Sequence, residues 1–197
     1  MIAPAWSDVE TLGVMALAKH AKKAPTLQRK ALSQLQNLAV HWQKVENKSP
    51  YKVAIEREDF VWGSSAVFLN KAFTLLRLNT IAPDESIKDS AQHLLDYVLG
   101  RNPLQLSFVT GLGKNRITNI HHRVSYADGI DEPVPGGVVG GAQPNQQDKM
   151  ACQLEGVKYP STLPALSYVD HTCSYASNEV AINWNAPLVY VLAAMIE

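Results

Sequence analysis

The chain has 197 residues, 46% of them apolar, and no formal net charge. That length supports one sizeable core, as a single domain or two small ones. The charge balance leaves no electrostatic footprint for nucleic acid or an anionic membrane, and the longest apolar run, 188–196, is too short to cross a bilayer.

Taken in chain order, the first half reads as helices. Ser7-Asp8-Val9-Glu10 has the form of a capping box and places a helix from there to about His20. Pro25-Thr26 opens a second helix, on which Leu27, Ala31, Leu35, Leu38 and Trp42 recur at spacings of three and four. A polar break follows over 44–50, then a short extended piece over 51–56. A third helix, 64–78, is apolar nearly all round and is expected to be buried. Pro83-Asp84 starts a fourth, with Ile87, Ala91, Leu94, Leu95 and Val98 as its inner stripe. Gly100 ends it, and Asn102-Pro103 forbids continuation.

The pattern then changes. From 100 to 183 no helical periodicity stands out, and glycine and proline are crowded together. A span of that length is uncommon in a compact domain unless it is disordered or functional. Phe108, Tyr126, Tyr159, Tyr168 and Tyr175 argue against disorder. The span therefore reads as ordered loops carrying function on a helical scaffold, with a turn or small hairpin around 127–141. A last helix, from about 184 to 196, takes Pro187 in its first turn. Leu188, Val189, Val191, Leu192 and Ile196 leave it no polar face, so a central position is expected.

Two constellations carry possible chemistry. In Ile120-His121-His122-Arg123, the imidazoles donate and accept and the guanidinium offers a rigid fork of donors, which suits a site that binds hydroxyls. A solvated basic turn fits the same residues. Zinc fits poorly, because adjacent histidines diverge in extended chain and no Cys or Asp stands at ligand spacing; no metal or other cofactor is expected. The second constellation is Tyr168-Val169-Asp170 with Glu179. Two carboxylates flanked by Tyr168, Tyr175 and Trp184 suit acid–base chemistry on a sugar, with the rings covering pyranose faces. A turn aspartate, a glutamate near a helix N-terminus and core-filling rings would give the same residues. The glycines of 136–141 are not followed by the Gly-Lys-Ser/Thr of a phosphate loop, and the acids of 128–132 lack EF-hand spacing. Cys152 and Cys173 lie in the loop region. A bridge between them would tie down a span with little regular structure, whereas buried free thiols would serve as small apolar residues.

At these residues the sequence resembles a known family. Ser107-Phe-Val-Thr-Gly-Leu-Gly-Lys-Asn115, followed after four residues by Ile120-His-His-Arg123, resembles the histidine signature of family 9 glycoside hydrolases. Tyr168-Val-Asp170, then Tyr175, then Glu179-Val-Ala-Ile-Asn-Trp-Asn185-Ala, resembles the signature that carries their catalytic acid. Leu95-Asp-Tyr-Val-Leu-Gly-Arg-Asn-Pro103, Phe60-Val-Trp-Gly-Ser64 and Ala127-Asp-Gly-Ile130 look like the family as well, so the resemblance covers nearly the whole chain.

The resemblance implies an all-α fold, the C-terminal half of an (α/α)6 barrel with long ordered loops. It implies hydrolysis of β-1,4-linked oligo- or polysaccharides with inversion. Glu179 matches the general acid, and Asp170 and His121 match the other catalytic positions. Arg123, with His122, Tyr175 and Trp184, falls at substrate-binding positions. Two departures matter. The family's Asp-Ala-Gly-Asp motif, which supplies the water-activating base, does not occur here. The chain is thus expected to be the C-terminal part of one catalytic domain, inactive without the N-terminal part. The loop 143–166 also differs from the usual short form. Action on glucose- or glucosamine-terminated oligosaccharide ends is an alternative, and a non-catalytic sugar-binding module is another. The compartment stays open among secreted, periplasmic and cytoplasmic: the first residues show no signal peptide.

Overall fold

The computed structural model describes residues 2–196. In chain order the helices are α1 (Glu10–His20), α2 (Pro25–Lys48), α3 (Ser64–Asn79), α4 (Glu85–Val98), α5 (Arg123–Ala127), α6 (Lys149–Leu154), α7 (Tyr175–Asn178) and α8 (Ile182–Ile196). α1 packs on α2, and α3 packs on both α4 and α8. The fold is all-α, part of an (α/α)6 barrel with long loops. No helix of the described residues is long and apolar enough to cross a membrane.

The helices form where periodicity and caps agree. On α2, Ala31, Leu35, Leu38 and Trp42 are buried along one stripe, while Leu27 stays exposed at the first turn. On α4, the Asp84 carboxylate caps the helix by accepting from the Ser86 amide at 2.9 Å. Hydrogen bonds from the Ser86 side chain and backbone hold that carboxyl below its usual range.

Several local expectations are corrected. The helix expected from Ser7 begins at Glu10 with no side-chain cap on its N-cap residue; Asp8 Oδ1 instead accepts from the Glu10 amide at 3.0 Å. The polar break over 44–50 is mostly helix, because Glu46 is buried and directs its carboxylate to His93 on α4. The region 100–183 contains α5, α6 and α7, each too short to show a period in sequence. In place of a hairpin around 127–141, isolated bridges join Val109 to Val138 and Val139 to Val180.

α3 is buried on most sides, and its one charged buried residue organises the approach to the site. Lys71 Nζ reaches the Ala54 carbonyl at 3.0 Å and the Asp59 carboxylate, and lies over the Trp42 ring. Asp59 Oδ2 also accepts from the Glu56 amide at 2.7 Å. A helix, the 54–59 segment and the core beneath them are thereby fastened at one ammonium, just before Phe60-Val61-Trp62-Gly63.

α8 departs from expectation. It starts at Ile182, so Pro187 lies inside it. Leu188 and Val191 face the core, but Val189 is 67% and Ile196 87% exposed. The helix is therefore half-covered and not central. Beside it an apolar groove of about 570 Å³ runs between the N-terminal segment, α3 and α8, lined by Trp6, Val9, Phe73, Pro187 and Tyr190. Apolar surface of this kind favours association.

Two outcomes are expected. Lys71→Ala strands Asp59 without its counter-charge and should lower unfolding free energy by about 3–5 kcal/mol, with Lys71→Met less harmful, as measured by urea denaturation. The chain by itself should self-associate with rising concentration in light scattering, and Val189→Ser should reduce that tendency.

Candidate functional site

The site is assembled by backbone pairing. Residues 138–141 thread between the start of α3 and the segment 176–180. The Gly140 carbonyl accepts from the Ser65 amide at 3.0 Å, and the Gly140 amide donates to the Glu179 carbonyl at 3.1 Å. On its other side, Glu179 bridges to His121, whose amide donates to the Asn178 carbonyl at 2.9 Å. Glu179 is thus held by its main chain between two neighbours.

Its side chain meets a residue that sequence reasoning did not single out. Trp62 Nε1 donates to Glu179 Oε2 at 3.2 Å. The Trp62 ring also lies beside Tyr175, with centroids 5.5 Å apart, and Tyr175 stands 6.2 Å from the His121 ring. The one signal in the sequence is the short run Phe60-Val-Trp-Gly-Ser64, which by itself gives its tryptophan no role. One Glu179 oxygen is occupied by the indole, and among the described residues the other takes no hydrogen bond.

His121 Nδ1 lies 2.8 Å from the Thr172 carbonyl. A carbonyl only accepts, so Nδ1 carries a proton and Nε2 is left for a ligand. His121, His122, Arg123 and Tyr175 line one open depression of about 650 Å³. His122 is also structural, because its Nδ1 faces the Ser125 hydroxyl at 3.0 Å and caps α5. Arg123 opens α5 and is exposed.

Asp170 and the other rings fall elsewhere. Asp170 Oδ2 accepts from the Thr118 amide at 3.0 Å and hydroxyl at 3.1 Å, and Oδ1 from the Asn119 amide at 2.9 Å. The carboxylate therefore pins the segment that leads into His121. Trp184 on α8 packs against Gly63, within 3.1 Å of the place a Cβ would take, so a side chain there would crowd the Trp184 ring. Tyr168, considered for a sugar face, is core instead. It packs on Phe108 at 5.2 Å and donates to Asn178 Oδ1. Burial first, then the Asp170 charge, pushes its hydroxyl pKa well above the ordinary value.

Behind α7 sits a buried polar network that the sequence did not reveal. Asp148, 1% exposed, accepts from the Tyr159 hydroxyl at 2.6 Å and from the Ala176 amide at 2.7 Å. Tyr159 also contacts the Ser174 hydroxyl at 2.7 Å. Burial and then the bond to Asp148 push the Tyr159 hydroxyl up to about 12, so it stays a donor at neutral pH. Asn178 Nδ2 adds bonds to the Val169 carbonyl at 2.7 Å and the Ser174 carbonyl at 3.1 Å. Cys152 and Cys173 form a disulfide with Cα atoms 5.0 Å apart, which joins α6 to the loop holding Thr172 and Tyr175. Among the described residues no group of three or more His, Cys, Asp or Glu side chains is placed to hold a metal ion.

Comparison with known proteins matches this architecture. The model of glycosyl hydrolase family 9 matches residues 2–192. A xyloglucan-specific endo-β-1,4-glucanase of Bacteroides ovatus is 35% identical over 98% of this chain and 33% of its own length. A cellodextrinase of Butyrivibrio fibrisolvens is 32% identical over 98% of this chain and 34% of its own. Among solved structures, AaCel9A in complex with cellobiose-like isofagomine superposes with a TM-score of 0.88 at 35% identity, covering 98% of this chain and 36% of that one. The family 9 endoglucanase J30 gives 0.91 at 27% identity, covering 100% and 36%. The chain thus spans about a third of the length of these relatives.

The disulfide is expected to restrain the unfolded chain. Replacing Cys152 and Cys173 by alanine should lower unfolding free energy by about 3 kcal/mol, the cost of freeing a loop of roughly this span. Urea titration of the oxidised and double-alanine proteins measures it, and coincident midpoints would deny the bridge a restraining role.

Proposed function

The chain belongs to glycosyl hydrolase family 9, and from that premise we propose that it supplies the acid-bearing wall of a cleft that hydrolyses β-1,4-linked glucans with inversion. The observation that carries the reading is the Trp62 indole on Glu179 Oε2 at 3.2 Å, with the Tyr175 ring alongside. The indole orients the carboxyl, and the free oxygen protonates the leaving glycosidic oxygen. Trp62 and Tyr175 cover apolar sugar faces, while His121 Nε2 and Arg123 bind hydroxyls. The names of the similar proteins support the substrate class: a xyloglucan-specific endo-β-1,4-glucanase, a cellodextrinase and an endoglucanase D all match over nearly the whole chain.

Inversion needs a second carboxylate about 6.5–9.5 Å from the acid, with room for water between them. Asp170 is a poor candidate, because three of its roughly four acceptor positions are already taken by Thr118 and Asn119. A carboxylate taking a proton from water needs a free lone pair directed at it. The base therefore comes from another part of the same domain, N-terminal to this one, and the 197-residue chain does not turn over substrate alone. The Cys152–Cys173 bridge suits an oxidising compartment.

The test is a reducing-end assay on cello-oligosaccharides. The chain alone should release nothing. Joined to an Asp-Ala-Gly-Asp-bearing N-terminal part of a family 9 domain, it should become active, and Glu179→Gln should then cost at least about 10²–10⁴-fold in rate. Turnover by the chain alone that disappears in Glu179→Gln would place the base within it. A joined protein inactive on every β-1,4-glucan would favour a binding module instead.

A further inference from the structure

The ring series at Glu179 leads in one direction. From Trp62 it passes to Tyr175 and His121, and these two line the depression of about 650 Å³, a size usual for ligand sites. The same depression is lined by Tyr126 of α5 and by Ala151 and Glu155 at α6. None of these three lies in the motifs that carry the family resemblance, and the acid–base reading gives them no part.

Their surroundings point to a ligand. Tyr126 is 80% exposed, so its ring contributes little to the core. Its exposed ring stands on the lining of the depression and offers broad rigid area at low entropic cost. Glu155 is exposed, and His171 Nδ1 stands 3.9 Å from its Oε2, beyond hydrogen-bond reach. Its acceptors are thus open to a ligand. Both walls are fixed beforehand. The disulfide ties α6 to the loop of Thr172 and Tyr175. α5 is capped by His122, and the Ser125 hydroxyl accepts from the Val134 amide at 3.2 Å. Rigid walls reduce the ordering cost of binding.

We propose that Tyr126 and Glu155 form a distal sugar subsite of the cleft, one that takes a further glucosyl unit of the bound chain. The Tyr126 ring covers the apolar face of the pyranose, and the Glu155 carboxylate accepts from its hydroxyls. A pyranose offers that pairing of an apolar face and a hydroxyl rim. Arg123 on the same wall opposes a cationic ligand and adds donors for the same hydroxyls. A β-1,4-glucan is extended, so a chain lying over Glu179 and Tyr175 runs on into this depression. The inference rests on the β-glucan reading given above.

The experiment is an NMR titration of the 197-residue chain with cellobiose and cellopentaose, following the Trp62 indole N–H beside Glu179 and the Ala151 amide in the depression. Cellopentaose should shift both signals and bind more tightly than cellobiose. Tyr126→Ala, at an exposed position that spares the core, should weaken cellopentaose binding by roughly 5–10-fold and abolish the Ala151 response, with the Trp62 response retained. Glu155→Gln should weaken it less. Cellopentaose that moves Trp62 but not Ala151, or that binds Tyr126→Ala as it binds the native chain, overturns the subsite and leaves the β-glucan reading standing. If neither sugar moves Trp62, that reading falls and the subsite with it.

Discussion

The main-chain contacts of Gly140 fix everything else at the site. Its carbonyl receives the start of α3, through Ser65 N at 3.0 Å and the Ser64 hydroxyl at 3.2 Å. Its amide binds the carbonyl of Glu179. Three segments far apart in sequence meet at one residue, and they meet so closely that a Cβ there would lie 2.6 Å from the Ala176 carbonyl oxygen. Backbone oxygen cannot move aside as a flexible side chain can, so any other residue would push α7 away from α3. That would separate Glu179 from Trp62, because the two stand on opposite sides of this seam. A hydrogen bond at 3.2 Å tolerates little displacement before it is lost.

The loops around the seam are ordered by buried polar groups, most of them partnered, although among the described residues Ser65 Oγ and Gln143 Nε2 are buried without a partner. Asp148 would be costly at 1% exposure without partners. It is bound by the Tyr159 hydroxyl and the Ala176 amide, and so it stabilises the start of α7. Asn178 uses its amide on the 169–174 loop and its oxygen on Tyr168. Lys71 does the same from below, holding 54–59 so that Trp62 emerges at a set place. Long irregular chain is thereby made rigid without sheets, which is what a catalytic loop region requires.

The helical scaffold was legible because it obeys short-range rules. The α2 and α4 stripes follow the helical period, and Asp84 and Gly100 mark the ends of α4 as the cap rules say. Ser7 misled because a capping box needs the hydroxyl to sit at the N-cap, and here Asp8 turns the chain first. α8 misled for a different reason. Apolar residues all round a helix say that it wants cover on every side, but not that this chain provides the cover. Of the candidate site, Glu179, His121 and His122 stood out in the sequence because they lie in long motifs. Trp62 did not: its contact with Glu179 spans 117 residues in sequence, and nothing local to Trp62 encodes it. Which segment Asp170 supports was equally hidden, because a carboxylate that clamps Thr118 and Asn119 has the same sequence neighbours as one that does chemistry.

The two roles in inverting hydrolysis place opposite demands on a fold. The acid must be positioned to a fraction of an ångström against the leaving oxygen, and Glu179, the acid proposed above, is fixed by main-chain pairing on both sides and by an indole on one oxygen. The base must stand several ångströms off, with a water between, on the far face of the sugar. One short loop holding both carboxylates would either bring them too close or leave one loosely held. With the proposed base on a separate segment of the barrel, the conflict would not arise. The apolar groove beside α8 is a face that closure of the barrel would use.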